Sequence, residues 1–376
     1  MNPDLSARLV ECTAGPCGAV HGGRQWSLIG PELHRLGEYV PADVNDAWYP
    51  PADAVHEALH AAVDSIQHTP AVGSERLRDE VAAMLDTPSG EILIGAGASA
   101  LLHHLIGCAA PAGSTVLLPA PTYSEYERVA RASGARVVRL LLEVESGFAI
   151  DPDELAEAAR LSGATLVVLA NPNNPTGAVL DGNAMDTLLA ALPHGCRLLV
   201  DEAYIDWTPR ASAWSRTPSA PALAVVRSLS KGPALAGLRA GHARLGEGWR
   251  DAHEWIAPPW PVGLPAQAAW LAALRTHEHV HERIEATRLL RDALREDLAA
   301  LDGLEPLPTC AHYFLVRLHA PWPGAPDVVA ALSDRRVLVR DGTAFGPPLG
   351  DEWLRVTTRS AEENTRVQQA FSDVRP

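Results

Sequence analysis

Basic clusters, paired cysteines and long apolar runs are all missing from this sequence, and each absence closes off a class of function. Lys and Arg total 31 against 46 Asp and Glu, a formal net charge of -15 over 376 residues. Phosphate backbones are held by clustered Lys and Arg, so general nucleic-acid binding is excluded and the acidic balance mainly favours solubility. The five cysteines, Cys12, Cys17, Cys108, Cys196 and Cys310, form no Cys-x-x-Cys pair and no even framework. Reduced thiols in a cytoplasmic protein are the simplest account. Met1 to Val10 carries Asp4 and Arg8 and has no apolar core, so a signal peptide is not expected there. No run of about 18 apolar residues suggests a membrane span. Internal repeats and low-complexity tracts are lacking too, and Asn174-Pro175-Thr176 cannot accept a glycan because its middle residue is Pro.

What is present is a regular alternation. At 47% hydrophobic and 20% charged residues the chain is that of a globular protein, and its length exceeds one ordinary core, which implies a large domain and a smaller one. Gly15-Pro16, Gly22-Gly23 and Gly30-Pro31 break any period in the first fifty residues, so 1–50 reads as an arm expected to pack on the smaller domain and the ligand site. Helical patterns follow at 54–67 and 74–85. Short apolar runs at 91–94, 115–118, 136–140, 164–170, 197–200 and 222–226 then alternate with amphipathic ones at 98–110, 123–133, 152–160 and 184–192. Strands that are apolar throughout, alternating with helices, predict an α/β fold with a mostly parallel sheet covered on both faces and ligands at the carboxyl ends of its strands. After Pro258-Pro259-Trp260-Pro261 the texture changes: 266–301 is helical in pattern, and strands at 312–318, 337–340 and 353–358 with helices at 326–333 and 361–371 predict a small α+β domain. The expected division is an arm at 1–50, a large domain at 51–265 and a small domain at 266–376.

Candidate chemistry falls at the ends of the predicted strands. The run 222–226 delivers Ser228, Ser230 and Lys231 into a loop rich in Gly and Pro, with Arg239 eight residues beyond the lysine. Ser228, Ser230 and Arg239 can grip one phosphate, and Lys231, partly desolvated beside a second cation, becomes a usable amine nucleophile. An isolated Ser-x-Ser-Lys is more often a surface lysine in a connecting loop. Gly95-Ala96-Gly97-Ala98-Ser99-Ala100 follows a strand and opens a helix, but the next strand lacks the acidic residue of a dinucleotide site. A smaller anion on the helix N-terminus, held by backbone N-H groups and Ser99, fits better. Tyr123 lies at a strand end, where it either stacks on an aromatic ligand or fills core. In Asn171-Pro172-Asn173-Asn174-Pro175-Thr176-Gly177, three asparagines among prolines make a rigid turn presenting amides. Leu198-Leu199-Val200-Asp201-Glu202-Ala203-Tyr204 drives Asp201 out of an apolar strand; a buried carboxylate is costly alone and calls for a cationic partner such as a pyridinium nitrogen.

These motifs, Asn-Pro-Asn-Asn-Pro-Thr-Gly, Asp-Glu-Ala-Tyr, Ser-Leu-Ser-Lys and Leu-Ala-Gly-Leu-Arg in this order and spacing, resemble the fold-type I enzymes that use pyridoxal 5′-phosphate. The likeness is strongest to the histidinol-phosphate aminotransferase group and runs from about Asn45 to Arg366. His21-Gly22-Gly23, Arg227-Ser228-Leu229, Pro259-Trp260 and Arg359-Ser360 are also similar to the threonine-phosphate decarboxylases. The resemblance implies a large cofactor-binding domain, a small C-terminal domain, pyridoxal 5′-phosphate as cofactor and a homodimer acting on a small amino-acid substrate. It implies that Lys231 forms the Schiff base and then shuttles protons, that Asp201 pairs with the ring nitrogen, and that Asn174 and Tyr204 bond the ring hydroxyl. Tyr123 stacks on the ring, and Ala98, Ser99, Ser228, Ser230 and Arg239 hold the phosphate. Arg355 matches the arginine that grips a substrate carboxylate, Arg340 one that reaches the distal group, and Asn45 and Tyr49 line the substrate pocket.

Departures from the pattern are His68-Thr69-Pro70 in place of Arg-Tyr-Pro and Asn45-Asp46-Ala47-Trp48 in place of Asn-Glu-Asn-Pro. They fall at the subunit boundary and in the substrate pocket. Amino transfer is the first expectation; decarboxylation with the same residues is the alternative, and a silent binding protein that kept the fold is the outside one. His277-Glu278-His279-Val280-His281 spells the HExxH of zinc peptidases, yet it sits on a long polar helix beside Arg275, Glu282 and Arg283. A solvated helix face is the better reading, and no metal is expected.

Overall fold

The computed structural model of the chain describes residues 3–12, 21–254 and 258–376. Gly15-Pro16 and Cys17 lie outside the described residues. The arm contains α1 (Pro3–Ala7), β1 (Leu9–Glu11), α2 (Gln25–Ile29) and β2 (Val40–Pro41). The large layer follows as α3 (Asp53–Val63), α4 (Glu75–Met84), β3 (Ile92–Gly95), α5 (Gly97–Ala109), β4 (Thr115–Ala120), α6 (Glu125–Ala132), β5 (Arg136–Leu141) and α7 (Pro152–Ser162). It continues through β6 (Leu166–Ala170), α8 (Gly182–Ala191), β7 (Arg197–Asp201), β8 (Leu223–Ser228), β9 (Gly241–Leu245), α9 (Glu247–Glu254) and α10 (Leu264–Leu274). The remainder is α11 (His277–Ala299), β10 (Leu304–Pro306), β11 (Tyr313–Leu318), α12 (Ala325–Asp334), β12 (Val337–Leu338), β13 (Arg340–Asp341), β14 (Trp353–Thr357) and α13 (Ala361–Val374).

The large sheet runs β1-β5-β4-β6-β7-β8-β9-β3. Its five central strands are mutually parallel, and β1, β9 and β3 pair antiparallel at the two sides. Period-two geometry splits each central strand between two apolar layers. Val167 and Leu169 of β6, Leu198 and Val200 of β7 and Val225 of β8 pack with α7, α8 and α10. Leu166, Val168, Leu199, Ala224 and Val226 face α5, α6 and α9 on the other side. Each Val or Leu among them contributes roughly 1.5–3 kcal/mol on burial, which is why the strands read as unbroken apolar runs. Helix ends follow local chemistry: Asp151 caps α7 by accepting from Asp153 N at 2.9 Å and Glu154 N at 3.0 Å, Pro152 opens it, and Gly163 closes it at a φ of 66°.

The small domain is an antiparallel sheet in the order β10-β11-β14-β13, whose apolar face packs with α11, α12 and α13. Three features depart from the sequence expectation. Residues 266–301 form two helices rather than one, and residue 266 lies in α10, whose Ala266, Ala269, Trp270 and Ala273 join the large core; the chain leaves that core at Arg275 and Thr276. The arm does not pack only on the small domain and the site: β1 extends the large sheet beside β5, while β2 pairs in parallel with β12. Strand β9 was not anticipated, because it alternates buried His242 and Arg244 with apolar Ala243 and Leu245. Arg244 is accommodated there by Glu91 Oε2 at 2.9 Å and the Trp214 carbonyl at 3.1 Å.

Candidate active site

A cavity of about 480 Å³ opens where the carboxyl ends of the parallel strands meet the arm and the small domain. Parallel strands direct their ends to one edge, so residues remote in sequence converge there. Ala98 and Ser99 come from the start of α5, Tyr123 and Tyr126 from the segment after β4, Asn174 from the turn after β6 and Asp201 and Tyr204 from the end of β7. Ser228 ends β8 and Ser230, Lys231 and Arg239 follow it, Asn45 comes from the arm and Arg355 from β14. Twelve of the fourteen expected site residues line this one space.

Asp201 is buried at the floor, with Oδ2 accepting from the Tyr126 hydroxyl at 2.6 Å and Oδ1 from Ala203 N at 2.9 Å. Desolvation pushes its carboxyl above the usual carboxylate range, because the two hydrogen-bond donors are neutral and only partly offset the burial. A protonated nitrogen placed against it relieves that cost. On one wall, Arg239 takes up a left-handed backbone at φ 54° and its Nη1 donates to Ser230 Oγ at 3.3 Å and to the Ala236 carbonyl at 3.0 Å. Gly97 admits the guanidinium: a Cβ there would stand 2.8 Å from Arg239 Nη2, at a φ of +80° that disfavours a side chain in any case. Gly241 behaves alike, since its Cβ would lie 2.7 Å from Ala98 N. The result is a cation, two serine side chains and a helix N-terminus gathered into an anion cradle.

Of the three asparagines in the turn after β6, only Asn174 faces the cavity. Asn171 and Leu180 exchange hydrogen bonds at 2.9 and 2.8 Å, and Asn173 Nδ2 donates to the Pro121 carbonyl at 2.9 Å, so those two amides brace the loop. Asn174 Oδ1 accepts from Arg355 Nη1 at 2.8 Å, and Arg355 Nη2 donates to the Asp43 carbonyl at 2.7 Å. Asn45 is the knot between layers: Nδ2 donates to the Tyr204 hydroxyl at 3.0 Å, and Oδ1 accepts from Thr357 Oγ1 at 2.7 Å. Its carbonyl faces His312 Nε2 at 3.2 Å, and burial holds that imidazole neutral, its pKa well below the usual value.

Two expected substrate residues do not line the cavity. Tyr49 is buried behind the lysine loop, its hydroxyl donating to the Gly232 carbonyl at 2.8 Å. Arg340 is buried opposite Arg355 in the β13–β14 register, its guanidinium 5.7 Å from the Phe345 ring. Burial, with the neighbouring Arg355, pushes its pKa down to about 10. Neither is among the residues that line the cavity, although Arg340 stands close enough to Arg355, Asp43 and Tyr123 to feel their charges. Conversely, Tyr126, Asp43 and Asp46 line the site without having been assigned to it. Tyr126 had a signal, since Tyr123 and Tyr126 lie three apart at a helix start and so share one face. The environment of Lys231 also differs from expectation: the charged group within hydrogen-bond distance of Nζ is the Asp46 carboxylate, at 3.1 Å, not a second cation. His277, Glu278 and His281 are exposed in the first turn of α11, and among the described residues no three metal-type side chains converge.

A family model for aminotransferase class I and II matches residues 33–371. The chain belongs to the class I and II aminotransferases. A histidinol-phosphate aminotransferase from Methanococcoides burtonii is 34% identical over 371 residues, covering 93% of this chain and 99% of that one. The crystal structure of histidinol-phosphate aminotransferase from Sinorhizobium meliloti in complex with pyridoxal 5′-phosphate superposes with a TM-score of 0.80 at 25% identity, covering 88% of this chain and 89% of that one. L-threonine-O-3-phosphate decarboxylase from Porphyromonas gingivalis superposes at 0.77 with 22% identity, covering 88% of this chain and 98% of that one, a likeness that extends to the fold alone. This aminotransferase uses pyridoxal 5′-phosphate. Its own residues fit that group: a desolvated carboxylate for the ring nitrogen, and a cradle kept open by Gly97 and Gly241 for the phosphate.

Proposed function

We propose that the chain transfers the amino group of a small amino acid to a keto acid, with Lys231 as the group that holds the cofactor and moves the proton at the substrate Cα. The observation that carries this reading is the gathering of Lys231, Asp201 and the Ser-Arg cradle around one cavity. Pyridoxal 5′-phosphate supplies the electron sink for that chemistry. Asp201 keeps the ring nitrogen protonated, Tyr204 and Asn174 bond the ring hydroxyl, and Tyr123 lies against the ring. Ala98, Ser99, Ser228, Ser230 and Arg239 hold the phosphate. Arg355 takes the substrate carboxylate, exchanging its bond with Asn174 for a fork-shaped pair, and Asn45 fixes the arm beside it. Tyr49 steadies the lysine loop through Gly232, and Arg340, beside Arg355 in the sheet, is placed to meet the distal group of a substrate. Histidinol phosphate, the compound in the relatives' name, is the first candidate for the amino-donor panel. The test is to incubate the loaded enzyme with amino acids and amino phosphates and to assay both keto product and carbon dioxide. Keto product without carbon dioxide is expected, abolished by Lys231→Ala; carbon dioxide as the main product would favour decarboxylation.

We infer a homodimer in the cytoplasm. Exposed Val63, Ile66, Val72 and Trp260 support the first, Val72 and Trp260 being joined by a 2.6 Å backbone hydrogen bond. Free Cys12, Cys108, Cys196 and Cys310 support the second. Among the described residues no helix is long and apolar enough to cross a membrane. Light scattering that gives the mass of one chain would contradict the dimer.

A further inference from the structure

Two arginines and one aspartate are buried together where the arm meets β13 and β14: Arg340 is 7%, Arg355 5% and Asp43 1% exposed. Arg340 and Arg355 stand opposite each other in the β13–β14 register, and their guanidinium carbons lie 5.7 and 5.5 Å from the centre of the same Phe345 ring. Asp43 reaches them from the arm. It lines the cavity beside Arg355, its carbonyl accepts from Arg355 Nη2 at 2.7 Å, and both guanidiniums are close enough to feel its carboxylate.

The Asp43 carboxylate is held by neutral groups. Oδ2 accepts from Gly23 N at 2.7 Å and Arg24 N at 3.0 Å, and Oδ1 has no hydrogen-bond partner among the described residues. Capping that turn needs only an uncharged acceptor, which Asn or Ser supplies, whereas a buried charge is costly unless another charge answers it. Other charges around the cavity are answered elsewhere. Lys231 meets Asp46, and Arg359 meets Glu363 at 3.5 Å. Asp341, next to Arg340, is partly exposed, bonded to Thr343 and screened by solvent. Two buried cations are left facing one buried anion.

We propose that Asp43 is a specificity residue that limits the substrate to one anionic group. The proposal rests on the reading of Arg355 as the group that takes the substrate carboxylate. With that carboxylate in place, the substrate answers Arg355 and Asp43 answers Arg340. A distal group that is uncharged and accepts a hydrogen bond from Arg340 is then favoured, while a second carboxylate enters a weakly screened space against the charge of Asp43. Discrimination comes from the repulsion as much as from the attraction.

Succinate and succinamate have nearly the same shape and differ by one carboxylate exchanged for an amide, so they report the charge preference directly. The Kd of each is measured on cofactor-loaded protein from the rise in Tm with ligand concentration. Asp43→Asn keeps an acceptor for Gly23 and Arg24, and Asp43→Ser removes the charge with a smaller side chain. Both are expected to tighten succinate about tenfold relative to succinamate. A purely structural Asp43 would weaken the two ligands alike, so an unchanged ratio in both variants would overturn the proposal. A change with Asn that Ser fails to reproduce would overturn charge as the cause. If the unaltered protein binds neither ligand, or if Arg355→Gln binds both undiminished, the reading of Arg355 falls and the proposal with it; an unchanged ratio counts against Asp43 alone.

Discussion

On the large-domain side of the cavity, Asp201, Ser228, Asn174 and Ala98 stand within a few residues of buried strands, whereas on the arm side Asn45 and Asp46 have no strand beneath them and meet the small domain from the opposite end of the chain. The first group is positioned by the sheet. A strand such as β7, buried on both faces, has one register that keeps Leu198 and Val200 in one layer and Leu199 in the other, and that register fixes where Asp201 emerges. The second group is positioned by hydrogen bonds across the arm: Asn45 to Tyr204 and Thr357, and the Asp43 and Asp46 carbonyls to Arg355 and Arg359. A site half built into a core and half strapped on can keep its cofactor chemistry while the strapped half is changed. Asp46, Ala47 and Trp48, where the sequence differs from the pattern it resembles, fall in that strapped half.

Substitutions on the two sides should therefore fail differently. Asp201→Asn removes the charge that holds the ring nitrogen protonated and should lower kcat by about 10²- to 10³-fold, with the fold intact by circular dichroism. Asn45→Ala leaves the Tyr204 and Thr357 hydroxyls without their partner; it should cost about 1–3 kcal/mol in stability and raise KM roughly tenfold while kcat changes little. A kcat loss matching that of Asp201→Asn would erase the distinction between the halves. Tyr49→Phe should have the smallest effect, removing one hydrogen bond to Gly232 for about 1 kcal/mol of stability, seen as a small fall in Tm with KM unchanged. A large rise in KM would return Tyr49 to the substrate wall.

The same contrast explains what the sequence could convey. Ser228, Lys231, Asp201 and Asn174 were legible because each follows an apolar run whose end in a parallel sheet must face the ligand edge. Glu202 stands beside Asp201 yet turns away from the cavity, its carboxylate meeting Arg227 at 3.0 Å and Ser212 at 2.9 Å, and only the strand alternation separates the two. Asp46 was not legible, because its partner is 185 residues away and the arm has no period to orient it. The break between α10 and α11 carries no Gly or Pro at Arg275 and Thr276, so a continuous helix was the natural expectation. Strand β9 stayed hidden because burying His242 and Arg244 depends on Trp214, Trp270 and Glu91, contacts that no local pattern encodes.

The central claim is that one amine, Lys231, faces the cofactor site. Loading the protein with pyridoxal 5′-phosphate, reducing it with borohydride and weighing the peptides tests this in one step. One added phosphopyridoxyl group per chain is expected, on the peptide containing Lys231 and absent from Lys231→Ala. Modification at the amino terminus alone, or none at all, would contradict it.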